Sequence, residues 1–135
     1  MSMNTNDSKQ SILIIDDNKD FLEIFSLKLT RAGFDVVTVN SGQQGIDKAR
    51  SMKPDLILLD VEMPIMNGVE TLQKLKADPI TALCKVAFLT NYGDPSKDAS
   101  WLDEKFAREA GAMDYLKKSE DPDTIVKEVI RLLNG

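Results

Sequence analysis

The chain has 135 residues, of which 42% are hydrophobic, a length that suits one domain with a single core and is too short for two. Its formal net charge of −5, from 17 basic and 22 acidic residues, argues against a nucleic-acid backbone as the main partner, because phosphate binding requires an excess of Lys and Arg. Histidine is absent and Cys84 is the single cysteine, so an internal disulfide and the usual zinc ligands are excluded, and a bound metal would need oxygen ligands, as magnesium, manganese or calcium do.

The predicted strands and helices alternate along the chain. Apolar runs of strand length occur at residues 12–15, 36–39, 56–59, 86–89 and 113–116. The intervening segments carry apolar residues three or four positions apart, as on the buried face of a helix, and the first of them contains Phe21, Phe25 and Leu29. This pattern predicts five strands alternating with five helices.

Residues that favour helix ends support this alternation. Ser41 and Gln44 have the spacing of a capping box, and Asp121 precedes a proline that suits the first position of a helix. Gly33 and Gly111 follow helical segments, where glycine commonly ends a helix.

The strands are too apolar for a sheet with one face in water. A run such as Leu56-Ile57-Leu58-Leu59 suits a sheet that is covered on both faces, and strict alternation with helices makes the strands parallel. We therefore predict an α/β domain with a doubly wound five-stranded parallel sheet over residues 11–135. Residues 1–10 are predicted to be a flexible tail, and their polar character predicts neither a signal peptide nor a membrane anchor, so a cytoplasmic location is expected.

Three aspartates follow two of the predicted strands. Asp16 and Asp17 come directly after the first strand, and Asp60 comes directly after the third. In an open parallel sheet the carboxyl ends of the strands form one edge, where ligands bind. Each aspartate alone could equally cap a helix, but three close carboxylates repel one another unless a cation lies between them. The sequence therefore predicts a site for Mg²⁺ at this edge.

Four segments of the chain resemble the signature of response-regulator receiver domains in order and spacing. They are residues 14–18 (IIDDN), 58–68 (LLDVEMPIMNG), 88–91 (FLTN) and 111–118 (GAMDYLKK). The resemblance extends over residues 11–133. It implies a flavodoxin-like (βα)5 fold with strand order 2-1-3-4-5. It also implies a phosphorylation-dependent switch in a two-component phosphorelay, which catalyses only its own phosphorylation and dephosphorylation.

The resemblance also implies roles for the acidic residues. Asp60 would accept the phosphoryl group, and Asp17, Asp60 and the backbone carbonyl of Glu62 would bind Mg²⁺. Asp16 would support the metal through water. The phosphodonor would be a sensor histidine kinase or a phosphotransfer protein, whereas the downstream protein target is not implied.

Three further residues receive roles from the same resemblance. The hydroxyl of Thr90 would bond to the phosphoryl group, Lys118 would pair with it, and Tyr115 would change its rotamer in response. The family's lysine lies three residues after the aromatic, which selects Lys118 and leaves Lys117 at the surface. Such a lysine and Mg²⁺ would offset the negative charge on the transferred oxygens. Taken singly, these three residues could have plain structural roles.

Two other functions are weighed against this one. A phosphatase of the haloacid dehalogenase type needs a second acidic residue two positions after its nucleophile on the first strand. Asp16-Asp17-Asn18-Lys19 lacks that arrangement, and Asp60-Val61-Glu62 has the spacing but follows the third strand. A degenerate receiver acting as a scaffold is disfavoured because all of the chemical residues are present.

The chain departs from the family pattern near the predicted switch. Ser119 stands where a proline with a cis peptide bond usually follows the lysine, so either this bond is trans or a non-proline cis bond costs about 2.5–4 kcal/mol. Asn91 is bulkier than the usual small residue after the threonine. The stretch before Tyr115 is longer than usual, with extra residues at 92–97, and Trp101 follows as either an interface anchor or a core residue.

Overall fold

The computed structural model describes residues 9–90 and 109–134. Its strands are β1 (Ser11–Ile15), β2 (Asp35–Val39), β3 (Leu56–Asp60), β4 (Lys85–Thr90) and β5 (Asp114–Lys117). Its helices are α1 (Lys19–Arg31), α2 (Gly42–Met52), α3 (Gly68–Ala77) and α4 (Pro122–Asn134). Residues 1–8 of the predicted tail and the predicted helix between β4 and β5, with Trp101, lie outside the described residues.

The five strands form one parallel sheet in the order β2-β1-β3-β4-β5. Alternate residues of β1 point to opposite faces of this sheet. Ile12 and Ile14 pack with α1 and α4, while Leu13 and Ile15 pack with α2 and α3. Every residue of β3 is buried, which explains why its sequence is uniformly apolar up to its last position. The predicted doubly wound fold and its strand order are confirmed.

Two strands extend further than their apolar runs. β3 includes Asp60, which pairs with Leu89, and β4 ends at Thr90, which pairs with Lys117. Polar residues continue these ladders because pairing depends on the backbone and not on the side chain. As a result, two of the predicted site residues belong to buried strands and not to loops.

The helix ends show how local sequence sets the connections. Ser41 accepts a hydrogen bond from the N–H of Gln44, as a capping box requires, but the Gln44 side chain accepts from the N–H of Asn40, one residue earlier than predicted. A complete capping box is formed instead by Asn67 and Glu70 at the start of α3.

The other predicted helix ends are found where the sequence indicates them. Gly33 and Gly111 have φ angles of 103° and 106°, in the left-handed region that favours glycine. Pro122 is the first residue of α4, and the backbone oxygen of Asp121 accepts from the N–H groups of Thr124 and Ile125. Among the described helices, none is long and apolar enough to cross a bilayer.

Candidate functional site

The three predicted aspartates meet at the carboxyl edge of the sheet. β1 and β3 are neighbours, and one carboxylate oxygen from each of Asp16, Asp17 and Asp60 lies within 4.8 Å of the other two. Asp16 and Asp60 are fully buried, whereas Asp17 is the most exposed of the three. Oxygen ligands of this kind suit a hard divalent cation, so these residues fit Mg²⁺.

The ammonium group of Lys118 reaches this acidic cluster. Lys118 Nζ lies 2.5 Å from Oδ2 of Asp16 and 3.4 Å from Oδ1 of Asp60, and its side chain is 7% exposed. The backbone N–H of Lys118 donates to the backbone oxygen of Thr90 at 2.9 Å, which places the lysine beside the end of β4. The cluster thus sets three carboxylates against this ammonium, so a divalent cation would balance the remaining negative charge.

Asp16 has a structural task as well as a place in the cluster. Its Oδ1 accepts from the backbone N–H of Asn18 at 2.8 Å, which shapes the turn from β1 into α1. Asn18 in turn caps α1, because its side chain accepts from the backbone N–H of Phe21 at 3.1 Å. Oδ2 of Asp16 is left to face Lys118 and accepts no hydrogen bond of good geometry from the described residues.

A close backbone approach shapes the loop after Asp60. The N–H of Gly68 donates to the oxygen of Val61 at 2.8 Å, and a Cβ on Gly68 would overlap the backbone oxygen of Asp60. Glu62 lies two residues beyond Asp60 at the start of this loop and is partly buried. The Asn67-Gly68 pair therefore serves two needs: a cap for α3 and room for the backbone of Asp60.

Comparison with known proteins decides the family of this chain. The family model described as "Response regulator receiver domain" matches residues 12–130. The chain belongs to this family.

Curated relatives of this receiver domain agree with that assignment. It is 36% identical over 126 residues to the transcriptional regulatory protein LnrK of Bacillus subtilis, covering 91% of this chain and 54% of LnrK. It is 32% identical over 125 residues to the alkaline phosphatase synthesis transcriptional regulatory protein PhoP of the same organism, covering 90% of this chain and 49% of PhoP. The receiver domain thus spans about half the length of the curated relatives it matches.

Solved structures show the same fold. A putative response regulator from Chloroflexus aurantiacus is 29% identical with a TM-score of 0.81, covering 95% of this chain and 100% of its own. The chemotaxis protein CheY4 of Vibrio cholerae is 27% identical with a TM-score of 0.79, covering 92% and 98% of the two chains. Receiver domains pair with histidine kinases and act as regulatory domains in two-component signalling.

The other residues near the predicted switch are buried to different extents. Thr90 is fully buried at the end of β4, next to the backbone of Lys118. Tyr115 is half-buried on β5 opposite Phe88, where it packs against the apolar cluster on the face covered by α2 and α3. Lys117 is partly buried and pairs with Thr90 in the sheet.

Two features near Lys118 were not settled by the sequence. No peptide bond among the described residues is cis, so the bond from Lys118 to Ser119 is trans. The ring centroid of Phe21 lies 4.7 Å from Lys118 Nζ, whereas helical spacing assigns Phe21 only to the apolar face of α1. Its position in the first turn of the helix that follows the aspartate pair was the available signal.

Proposed function

We propose that this receiver domain accepts a phosphoryl group on Asp60 from a sensor histidine kinase or a phosphotransfer protein, and that Mg²⁺ is required. The observation that carries the proposal is the place of Asp60: a buried carboxylate at the end of β3, close to two other carboxylates and 3.4 Å from the ammonium of Lys118. We also propose that the domain acts on no separate substrate and works in the cytoplasm, where the ATP used by such kinases is found.

The proposed metal ligands are Asp17, Asp60 and the backbone carbonyl of Glu62, with Asp16 acting through water. This assignment is supported by the excess of carboxylates over ammonium groups in the cluster. When bound, Mg²⁺ supplies positive charge that offsets the charge on the phosphoryl oxygens. A solved structure with the same fold carries a magnesium ion in its active-site cleft: the receiver domain of sensor histidine kinase PA1611 from Pseudomonas aeruginosa. It is 22% identical to this chain with a TM-score of 0.79, covering 95% of this chain and 100% of its own.

The proposed reaction is a transfer between two nucleophiles. A carboxylate oxygen of Asp60 forms a bond to phosphorus while the bond from phosphorus to the donor's imidazole nitrogen breaks, which leaves an acyl phosphate. The ammonium of Lys118 pairs with the transferred oxygens, and the hydroxyl of Thr90 donates a hydrogen bond to them. Burial of Asp60 strengthens these electrostatic interactions, because little water screens them.

The proposed output is a conformational change that begins at Thr90 and Tyr115. If the Thr90 hydroxyl moves toward the phosphoryl group, the half-buried Tyr115 on the neighbouring strand gains room to turn inward. We propose a protein as the downstream target of this domain and no direct contact with nucleic acid, in view of its acidic charge balance. Some relatives are named DNA-binding response regulators, of which this chain spans about half.

Intact-mass spectrometry after incubation with acetyl phosphate tests the acceptor. We expect one phosphoryl adduct that forms with Mg²⁺ and fails to form with a chelator present. Asp60→Asn should abolish the adduct, because the amide is a poor nucleophile. The matched control is Asp55→Asn, which makes the same change directly before the first residue of β3 and should leave the adduct intact. An equal yield of adduct on the Asp60→Asn variant would show that the acceptor is another residue.

A multiple-turnover phosphatase assay tests the regulatory assignment. We expect the release of phosphate from p-nitrophenyl phosphate to be no faster than the loss of the domain's own phosphoryl adduct. Turnover that depends on Asp60 and is much faster than the loss of this adduct would favour an enzyme acting on separate substrates.

A further inference from the structure

We infer that Phe21 is a positioning residue for Lys118, and this inference rests on the proposed phosphoryl transfer to Asp60. Lys118 Nζ lies 4.7 Å from the centroid of the Phe21 ring, within the range of a cation–π interaction. The Lys118 side chain is only 7% exposed, and such an interaction is stronger where water is excluded. The ring therefore stabilises the ammonium inside the acidic cluster.

The ring itself is held in place from two sides. It stacks on Phe25 with the centroids 4.3 Å apart and an interplanar angle of 28°, and Phe25 is 4% exposed in the core between α1 and the sheet. The backbone N–H of Phe21 donates to the side chain of Asn18, whose own N–H donates to Oδ1 of Asp16. The segment that fixes the Asp16 carboxylate thus also fixes the ring.

This arrangement gives the ammonium a partner that carries no net charge. Lys118 Nζ is closer to Asp16 than to Asp60, so its nearest charged partner is not the proposed acceptor. The face of Phe21 attracts the ammonium without neutralising it and without competing for a hydrogen bond. A lysine side chain has many rotamers, and confining it before the phosphoryl group arrives lowers the entropy cost of pairing with that group.

A purely structural role for Phe21 is the alternative, because Phe21 also packs against the apolar cluster under α1. The two roles respond differently to the choice of substitution. Phe21→Leu keeps an apolar side chain but removes the ring, whereas Phe21→Tyr keeps the ring. Phe34→Leu is the matched control, because Phe34 is another partly buried phenylalanine that packs against the same apolar cluster.

The first measurement is NMR of the Lys118 side chain in the metal-free, unphosphorylated protein. We expect the wild-type Hε signals to be shifted upfield from those of the other lysines by the ring current of Phe21. The shift should disappear in Phe21→Leu, and it should be present in Phe21→Tyr and in Phe34→Leu. A wild-type Lys118 signal at the ordinary lysine position would overturn the inference without any variant having to fold.

The second measurement is the rate of adduct formation from acetyl phosphate at saturating Mg²⁺. We expect Phe21→Leu to lower this rate by about 2- to 30-fold, the range of a cation–π contact from exposed to desolvated. Phe21→Tyr keeps the ring and should react at about the wild-type rate. In a Lys118→Ala background, Phe21→Leu should not lower the rate further, because the ring is proposed to act only through the ammonium.

The outcomes separate this inference from the function on which it rests. Equal rates for wild type, Phe21→Leu and Phe34→Leu, with an adduct on Asp60 in each, would overturn the role of Phe21 and leave the acceptor assignment intact. A wild-type protein that forms no adduct at all would contradict the proposed function, while the Lys118 signals would still decide whether the ring holds the ammonium.

Discussion

Neighbouring aspartates in this receiver domain differ in how exposed they are. Asp16 uses Oδ1 for the backbone N–H of Asn18 and Oδ2 for the ammonium of Lys118. Asp17, the next residue, is the most exposed carboxylate of the cluster and lies nearest to solvent, from which a hydrated cation would arrive. In the turn after β1, the buried carboxylate of Asp16 therefore has a structural task, whereas the next carboxylate, that of Asp17, is accessible.

A metal titration of two matched variants tests this division. We expect Asp16→Asn to weaken Mg²⁺ binding by about tenfold, as for residues that act through a ligand or water, and Asp17→Asn to weaken it more, because it removes a direct ligand. Isothermal titration calorimetry of the free protein measures both affinities. The two changes remove the same charge from adjacent positions, so an equal or reversed order would refute the ranking.

At the scale of an element, the loop from β3 to α3 is the most constrained connection of the site. The N–H of Met66 donates to the oxygen of Pro64 at 2.7 Å across Ile65, whose φ of 71° is unusual for a β-branched residue. Gly68 then passes so close to the backbone of Asp60 that no side chain fits. The loop thus holds the backbone on which the proposed acceptor stands.

Gly68→Ala should therefore disturb the site from outside it. The added Cβ would overlap the backbone oxygen of Asp60, so either α3 or the end of β3 must shift. We expect a loss of about 1–3 kcal/mol in the free energy of unfolding, together with slower adduct formation on the folded fraction. Urea denaturation and the acetyl phosphate rate measure the two effects.

Gly33→Ala is the control for this prediction. Gly33 has a positive φ, but no described atom beyond its chain neighbours lies within 4 Å of the position that a Cβ would take, so its substitution strains the backbone without touching the site. It should lower stability and leave the rate of adduct formation unchanged. A normal rate in folded Gly68→Ala would mean that the close approach does not position Asp60.

At the scale of the whole molecule, the site joins the two faces of the sheet. Phe21 and Phe25 of α1 belong to the apolar cluster on one face, whereas Tyr115 packs into the cluster on the other. Thr90 and Lys118 lie between them at the carboxyl edge, linked by a backbone hydrogen bond. Through Lys118 and Phe21, the acidic cluster therefore contacts the layer of helices on one face of the sheet.

Phosphorylation should alter the segment that directly follows Thr90. We expect amide hydrogen exchange in peptides spanning residues 91–110, and the fluorescence of Trp101, to change in the phosphorylated or beryllofluoride-bound protein. Thr90→Ala should suppress this change while still allowing some adduct on Asp60, because the hydroxyl is proposed to transmit the event and not to accept the phosphoryl group. An unchanged segment in the confirmed phosphorylated protein would place the output elsewhere on the domain.

The sequence alone determined the elements of this protein and the position of its acidic cluster. Apolar runs and helical spacing are local properties, so they predicted the five strands and the four described helices, and the alternation of these elements required a parallel sheet. Since the carboxyl ends of parallel strands share one edge, the same reasoning brought Asp16, Asp17 and Asp60 together. Family spacing then selected Lys118 over Lys117.

Only the tertiary structure decided which groups touch across distant parts of the chain. The ring of Phe21 on Lys118 and the close approach of Gly68 to Asp60 depend on how separate segments pack. Periodicity marks Phe21 as apolar whether it packs on aliphatic side chains or on an ammonium, because the pattern records burial and not the identity of the neighbour. The neighbour of Phe21 is determined by how α1 packs beside the end of β5, and local sequence patterns do not record this packing.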